Sequence, residues 1–90
     1  MSNNTWTTST ALRARIDVTA QRIAELGIER VERGVSELIQ AALRHSLSPV
    51  LVAVLGDATA PPVARERAFG RLATELDSLL ATPGAVSVAA

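Results

Sequence analysis

Hydrophobic positions in this chain come in short runs whose spacing changes along its length. After the polar opening MSNNTWTTST, the stretch ALRARID alternates, with Leu12, Ala14 and Ile16 separated by Arg13, Arg15 and Asp17. Period-two alternation puts the three apolar residues on one face of a β-strand and both arginines on the other. Asp17 then serves as an N-cap for the next segment. From Val18 the period becomes helical, with Ala20, Ile23, Ala24 and Gly27 on one side and Arg22, Glu25 and Glu29 largely elsewhere. Gly27 either ends this helix as a left-handed cap, with Ile28 folding back onto it, or sits inside a helix that reaches Glu32 at a cost of about 1 kcal/mol.

Gly34 breaks the pattern, and VSELIQAALRHSL resumes it with Val35, Leu38, Ile39, Ala42 and Leu43 at the i, i+3, i+4, i+7, i+8 spacing of a buried helical face. In SLSPVLVAVLGD two signals compete. Val50, Val52 and Val54 favour a strand, whereas Ser48 before Pro49 starts a helix and Gly56 suits its end; the expectation is a short buried helix. DATAPP is a loop closed by Pro61 and Pro62, which also open a last helix. There Phe69, Leu72, Leu76 and Leu79 form a stripe with Leu80 beside it, while Arg65, Arg67, Arg71 and Glu75 lie mainly on other sides. The tail TPGAVSVAA is expected to fray. The chain thus divides into a flexible arm (1–10), a core unit (11–47), a helical extension (48–81) and a flexible tail (82–90), a mainly α protein with one short N-terminal strand.

Composition sharpens this picture. The chain has 90 residues, 48% of them hydrophobic, and a domain of that size buries only about 60–65% of its unfolded surface. A partner subunit is therefore expected. Trp6 and Phe69 are the only aromatic residues, so aliphatic side chains and alanine fill the interior. Nine basic residues, all arginine, balance nine acidic ones; the absence of lysine fits codon usage in a GC-rich bacterial genome. With no cysteine, neither a disulfide framework nor a thiolate metal site is available. The opening residues lack the basic cluster and apolar core of a secretory signal. The longest apolar run, Val50 to Leu55, is far too short to cross a bilayer, so a soluble cytoplasmic protein is expected.

Catalysis finds little to stand on. His45 is the sole histidine, near the end of a helix where an imidazolium is favoured electrostatically. The carboxylates are scattered without metal-ligand spacing, and no glycine-rich phosphate loop occurs. No enzyme activity, cofactor or metal is expected.

A strand carrying Arg13 and Arg15, then two helices of which the second reads GVSELIQAALRHSL, resembles the ribbon-helix-helix family of bacterial DNA-binding proteins, the group of the Arc, methionine and CopG-type repressors and many antitoxins. The resemblance covers Ala11 to about Leu47. It implies a homodimer in which paired antiparallel strands enter the DNA major groove. Leu12, Ala14, Ile16, Leu38, Ile39, Ala42 and Leu43 would then form the dimer core. Arg13 and Arg15 would contact bases, four guanidinium groups per dimer, each good bidentate pair with guanine worth about 1–3 kcal/mol. The start of the second helix, at Gly34, Val35 and Ser36, would hold a phosphate.

The stripe Phe69, Leu72, Leu76 and Leu79 would pack on the dimer core, join dimers into a higher oligomer, or lie in the groove of a protein partner such as a toxin. Two functions fit this pattern. One is a dimeric transcriptional regulator, a repressor or antitoxin, that binds double-stranded DNA. The other is an all-helical oligomerisation or accessory subunit that never touches nucleic acid, in which residues 11–16 begin the first helix.

Overall fold

Leu12, Ile16, Thr19 and Ile23 are all buried, and their spacing of four, three and four residues is that of a helix seam, not of a strand. The computed structural model describes the backbone of residues 4–89 and the side chains of residues 10–80. Its first helix, α1, spans Asn4–Leu26 and contains the whole ALRARID stretch. The expected β-strand is thereby corrected. No strand occurs among the described residues, and with it goes the ribbon-helix-helix architecture. The physical reason is visible at Ala14, which a strand would bury beside Leu12 and Ile16 but which is exposed on the helix. Leu12 and Ile16 satisfy both periods, and Thr19 and Ile23 decide between them. The backbone of α1 starts at Asn4, within the segment expected as a flexible arm, while residues 1–3 and the Trp6 side chain lie outside the described residues.

Gly27 ends α1. Its amide still donates to the Ile23 carbonyl at 2.9 Å, but its φ of 90° and ψ of 152° belong to a region that only glycine enters readily. The chain turns there into a short 3₁₀ segment, Ile28–Arg30, that folds the fully buried Ile28 back into the core. Helix α2 then spans Glu32–Arg44. Gly34 therefore lies within its first turns and does not break the chain.

At its far end α2 stops without a glycine. Ser46 takes φ 55°, its amide donates to the Leu43 carbonyl at 3.3 Å, and the Leu47 amide reaches the Ala42 carbonyl at 2.9 Å. Together these bonds form a Schellman cap with serine at the left-handed position. An L-residue there costs about 1 kcal/mol relative to glycine. Ser46→Gly is accordingly expected to stabilise the fold by about 0.5–1 kcal/mol in urea denaturation, and no gain would mean that this turn is not left-handed in solution.

Helix α3 spans Pro49–Leu55, so the helical signals of residues 48–56 prevail over the β-branched valines. Ser48 Oγ accepts the Leu51 amide at 3.5 Å and Pro49 fills the first helical position. Leu55 is fully buried, whereas Val50 is exposed. In the loop after α3, Asp57 Oδ1 accepts both the amide of Thr59, at 2.9 Å, and its hydroxyl, at 2.5 Å. These bonds hold the Asp57 carboxyl below its ordinary value, the hydroxyl bond contributing most.

Helix α4, Pro62–Ala89, continues through the segment expected as a frayed tail; side chains beyond residue 80 lie outside the described residues. Helix α4 packs on α1, α2 and α3, whereas α1 and α3 do not meet among the described residues. Ala68, Phe69, Leu72 and Leu76 supply its share of the core, together with Val35, Leu38, Ala41 and Ala42 of α2, Leu55 of α3 and the seam of α1. No helix of the described residues is long and apolar enough to cross a membrane.

Candidate interaction surface

Helices α1 and α2 pack Gly34 directly against Thr19. A Cβ placed on Gly34 would lie 2.5 Å from Thr19 Cγ2 and 3.0 Å from Thr19 Cβ, and closer still to Thr19 Oγ1. The Thr19 hydroxyl, at this contact, donates to the Arg15 carbonyl at 3.0 Å. Glycine is thus required here by a neighbouring helix, for close approach, and the reading of Gly34 as a chain breaker is corrected on that ground.

The crossing forms the floor of an open groove of about 450 Å³. Its apolar walls come from Ala14 and Val18 on α1 and Val31 before α2. Val18 is 49% exposed, an aliphatic residue half open to solvent. Around this apolar strip stand Arg15, Arg22, Arg30 and Arg33, with Glu37 the one carboxylate in the lining. An adjoining hollow shares Arg15, Arg33 and Glu37 and adds Arg44, with Leu12, Ser36 and Gln40. Five of the chain's nine arginines and one of its nine acidic residues therefore line a single face. Arg15 Nε donates to Glu37 Oε2 at 2.8 Å. Arg22, Arg30, Arg33 and Arg44 have no carboxylate partner among the described residues.

The residues proposed from sequence for DNA contact are not brought together. On a helix Arg13 and Arg15 point about 160° apart. Arg13 Nε bonds Asp77 Oδ1 of α4 at 2.7 Å, on a different flank from Arg15. Both pairs are partly solvated, and each contributes at most about 1 kcal/mol. At Gly34, Val35 and Ser36 no helix start is available. Helix α2 begins two residues earlier, the Val35 amide is already bonded to the Val31 carbonyl at 3.1 Å, and Glu32 places a carboxylate in the first turn.

Of the residues assigned to a dimer core, Leu12, Ile16, Leu38 and Ala42 are buried within the single chain and Ile39 partly so. Ala14 is exposed and Leu43 is 59% exposed. The last helix's stripe is likewise used at home: Phe69, Leu72 and Leu76 are buried, and only Leu79 stays partly open, at 39% exposure. His45 is exposed at the end of α2. Among the described residues no group of three or more His, Asp or Glu side chains is placed to hold a metal ion.

Sequence reasoning missed the role of Arg65 altogether. Its side chain is only 4% exposed, inside the angle between α4, α3 and the start of α2. Nε donates to the Leu55 carbonyl at the end of α3, at 3.0 Å. The two terminal nitrogens donate to the two carboxylate oxygens of Glu32, each at 3.1 Å. That fork keeps Arg65 more firmly protonated than usual, the hydrogen bonds to Glu32 outweighing burial. One signal was present: Arg65 precedes Ala68, Phe69 and Leu72 at helical spacing, on the same stripe.

A second apolar hollow lies between α2 and α3, lined by Leu43, Leu47, Val52 and neighbouring small residues. No arginine borders it. Comparison of the chain with protein-family models, with characterised proteins and with solved structures finds no match.

Proposed function

We propose that this chain is a non-enzymatic, all-helical interaction subunit that works by docking a partner on its α1–α2 face. The observation that carries this reading is the concentration of arginines around an uncovered apolar groove, in a chain whose formal charges cancel as a whole. Unpaired cations beside exposed aliphatic surface are the composition of a binding face, whereas a surface that only solubilises mixes both signs.

The placement of Leu12 to Ile16 supports it as well. Their apolar members Leu12 and Ile16 are consumed by the chain's own core, which leaves no β-ribbon to read DNA. A duplex-binding surface is polar and tracks phosphates, and the groove is mainly apolar between its arginines. Titration with duplex DNA decides between the two readings. Weak binding that does not depend on Arg13 or Arg15 is expected. Sequence-selective affinity that falls steeply between roughly 50 and 200 mM salt, and that Arg13→Ala with Arg15→Ala abolishes in a still-folded chain, would reinstate a DNA-binding regulator.

A further inference from the structure

We infer that the occupant of the α1–α2 groove is an acidic amphipathic helix of another protein, which seats an apolar stripe on Ala14 and Val18 and sets its carboxylates against Arg22, Arg30, Arg33 and Arg44. This rests on the interaction-subunit reading and names the chemistry of the partner.

Charge and shape both select this occupant. The groove offers apolar walls and a close-packed floor, Gly34 on Thr19, that none of the described residues covers. Guanidinium groups that lack carboxylate partners among the described residues flank those walls. From Arg33 to Arg44 α2 rises about 16 Å, so the cations are spread over some three helical turns. One carboxylate headgroup meets one end of such a row, whereas a helix with Glu or Asp along both borders of its apolar stripe meets the whole of it. Duplex DNA supplies the anionic row without the apolar stripe. A second copy of this chain, paired face to face, would bring arginine rim against arginine rim, which like-charge repulsion disfavours. The chain's own acidic residues are too dispersed to make such a helix internally.

The test uses the isotope-labelled full chain and a synthetic helix with leucines at i, i+3, i+4 and i+7 flanked by glutamates. Its counterpart carries lysine at every glutamate. The expected result is micromolar-order affinity for the acidic peptide, with amide shifts centred on Val18, Arg22, Val31 and Gly34. The lysine peptide should bind at least about tenfold more weakly. Arg22→Glu combined with Arg33→Glu should lower affinity for the acidic peptide by about tenfold or more, with an unchanged helical spectrum, while Arg67→Glu on α4 should leave it unaltered. Equal affinity for both peptides, no binding of either, or tighter binding of a free fatty acid at the same amides would overturn the inference. Shifts centred on Leu43 and Val52 would also overturn it, yet they would keep the interaction-subunit reading with a different face. Preferential capture of duplex DNA through the same arginines would end both.

Discussion

Replacing Arg65 with alanine is expected to destabilise the protein by about 3 kcal/mol. The guanidinium is buried, and its Nε–H is the partner of the Leu55 carbonyl at the end of α3. A hydrogen bond from a charged donor contributes about 1.5–3 kcal/mol, and a carbonyl stranded in a buried site adds a desolvation cost. Glu32 is more than half exposed, so its bidentate bond, although well formed, is screened and contributes at most about 1 kcal/mol. The aliphatic stem also packs, and its loss leaves a void. For a domain of this size total stability is about 5–13 kcal/mol, and a loss of about 3 kcal/mol lowers the melting temperature by roughly 12–24 °C. Arg65→Met retains the stem and should recover about 1 kcal/mol. Arg65→Lys keeps a charge but cannot address three acceptors from one planar fork, so it should fall between wild type and alanine. A cost below about 1 kcal/mol for alanine in urea denaturation would show that the three helices are not joined through this side chain.

Gly34→Ala is the second large effect, and here two terms oppose each other. Alanine raises intrinsic helix propensity by about 1 kcal/mol. The new methyl meets the Thr19 side chain at three atoms, two of them on branches whose rotamer is restricted in a helix, so no single rotation clears it. Overpacking of this kind costs about 1–3 kcal/mol, and the clash with a β-branched neighbour places it at the upper end. The net expectation is a loss of about 2 kcal/mol and a wider α1–α2 crossing. Thr19→Ala alone removes a buried methyl and a hydroxyl satisfied within its own helix. Combined with Gly34→Ala it should restore most of the loss, a coupling of about 1 kcal/mol or more in a double-mutant cycle. Strict additivity would mean that the helices do not touch at this point. The acidic-peptide affinity of the single variant should fall with the spreading of the groove.

These two residues also mark where the sequence stops being readable. Stripes with three or more members at helical spacing were legible: Val35, Leu38 and Ala42, then Phe69, Leu72 and Leu76, are buried as the period demands. Local capping chemistry was legible too, at Ser48 and Pro49 and at Gly56. The stretch Leu12 to Ile16 was not, because residues four apart satisfy period two as well as the helical period, and the small Ala14 fits either face. Leu43 stands at i+8 from Val35 yet is exposed, while Ala41, off the expected stripe, is fully buried, since the face that α2 turns to the core is rotated toward Ala41. Gly34 reads as a breaker in one dimension and as a contact in three. Ser46 gave no stop signal because a serine rarely holds the left-handed position. Arg65 carries a charge, and only the convergence of Glu32 and the α3 terminus makes its burial tolerable. The groove's arginines come from separate segments, and nothing local links Arg22 to Arg33.

Helix α1 seals its core seam less completely than α4 does. Leu12, Ile16 and Ile23 retain 6–9% exposure, against 0–2% for Phe69, Leu72 and Leu76, and the ion pairs tying α1 to α2 and α4 are solvated ones at Arg13 and Arg15. Its amides are therefore expected to exchange with solvent before those of the part clasped around Arg65. One bank of the binding channel is then the part of the molecule most able to yield, so a visiting helix thicker than the resting gap can be admitted by a modest tilt of that bank without loosening the remainder.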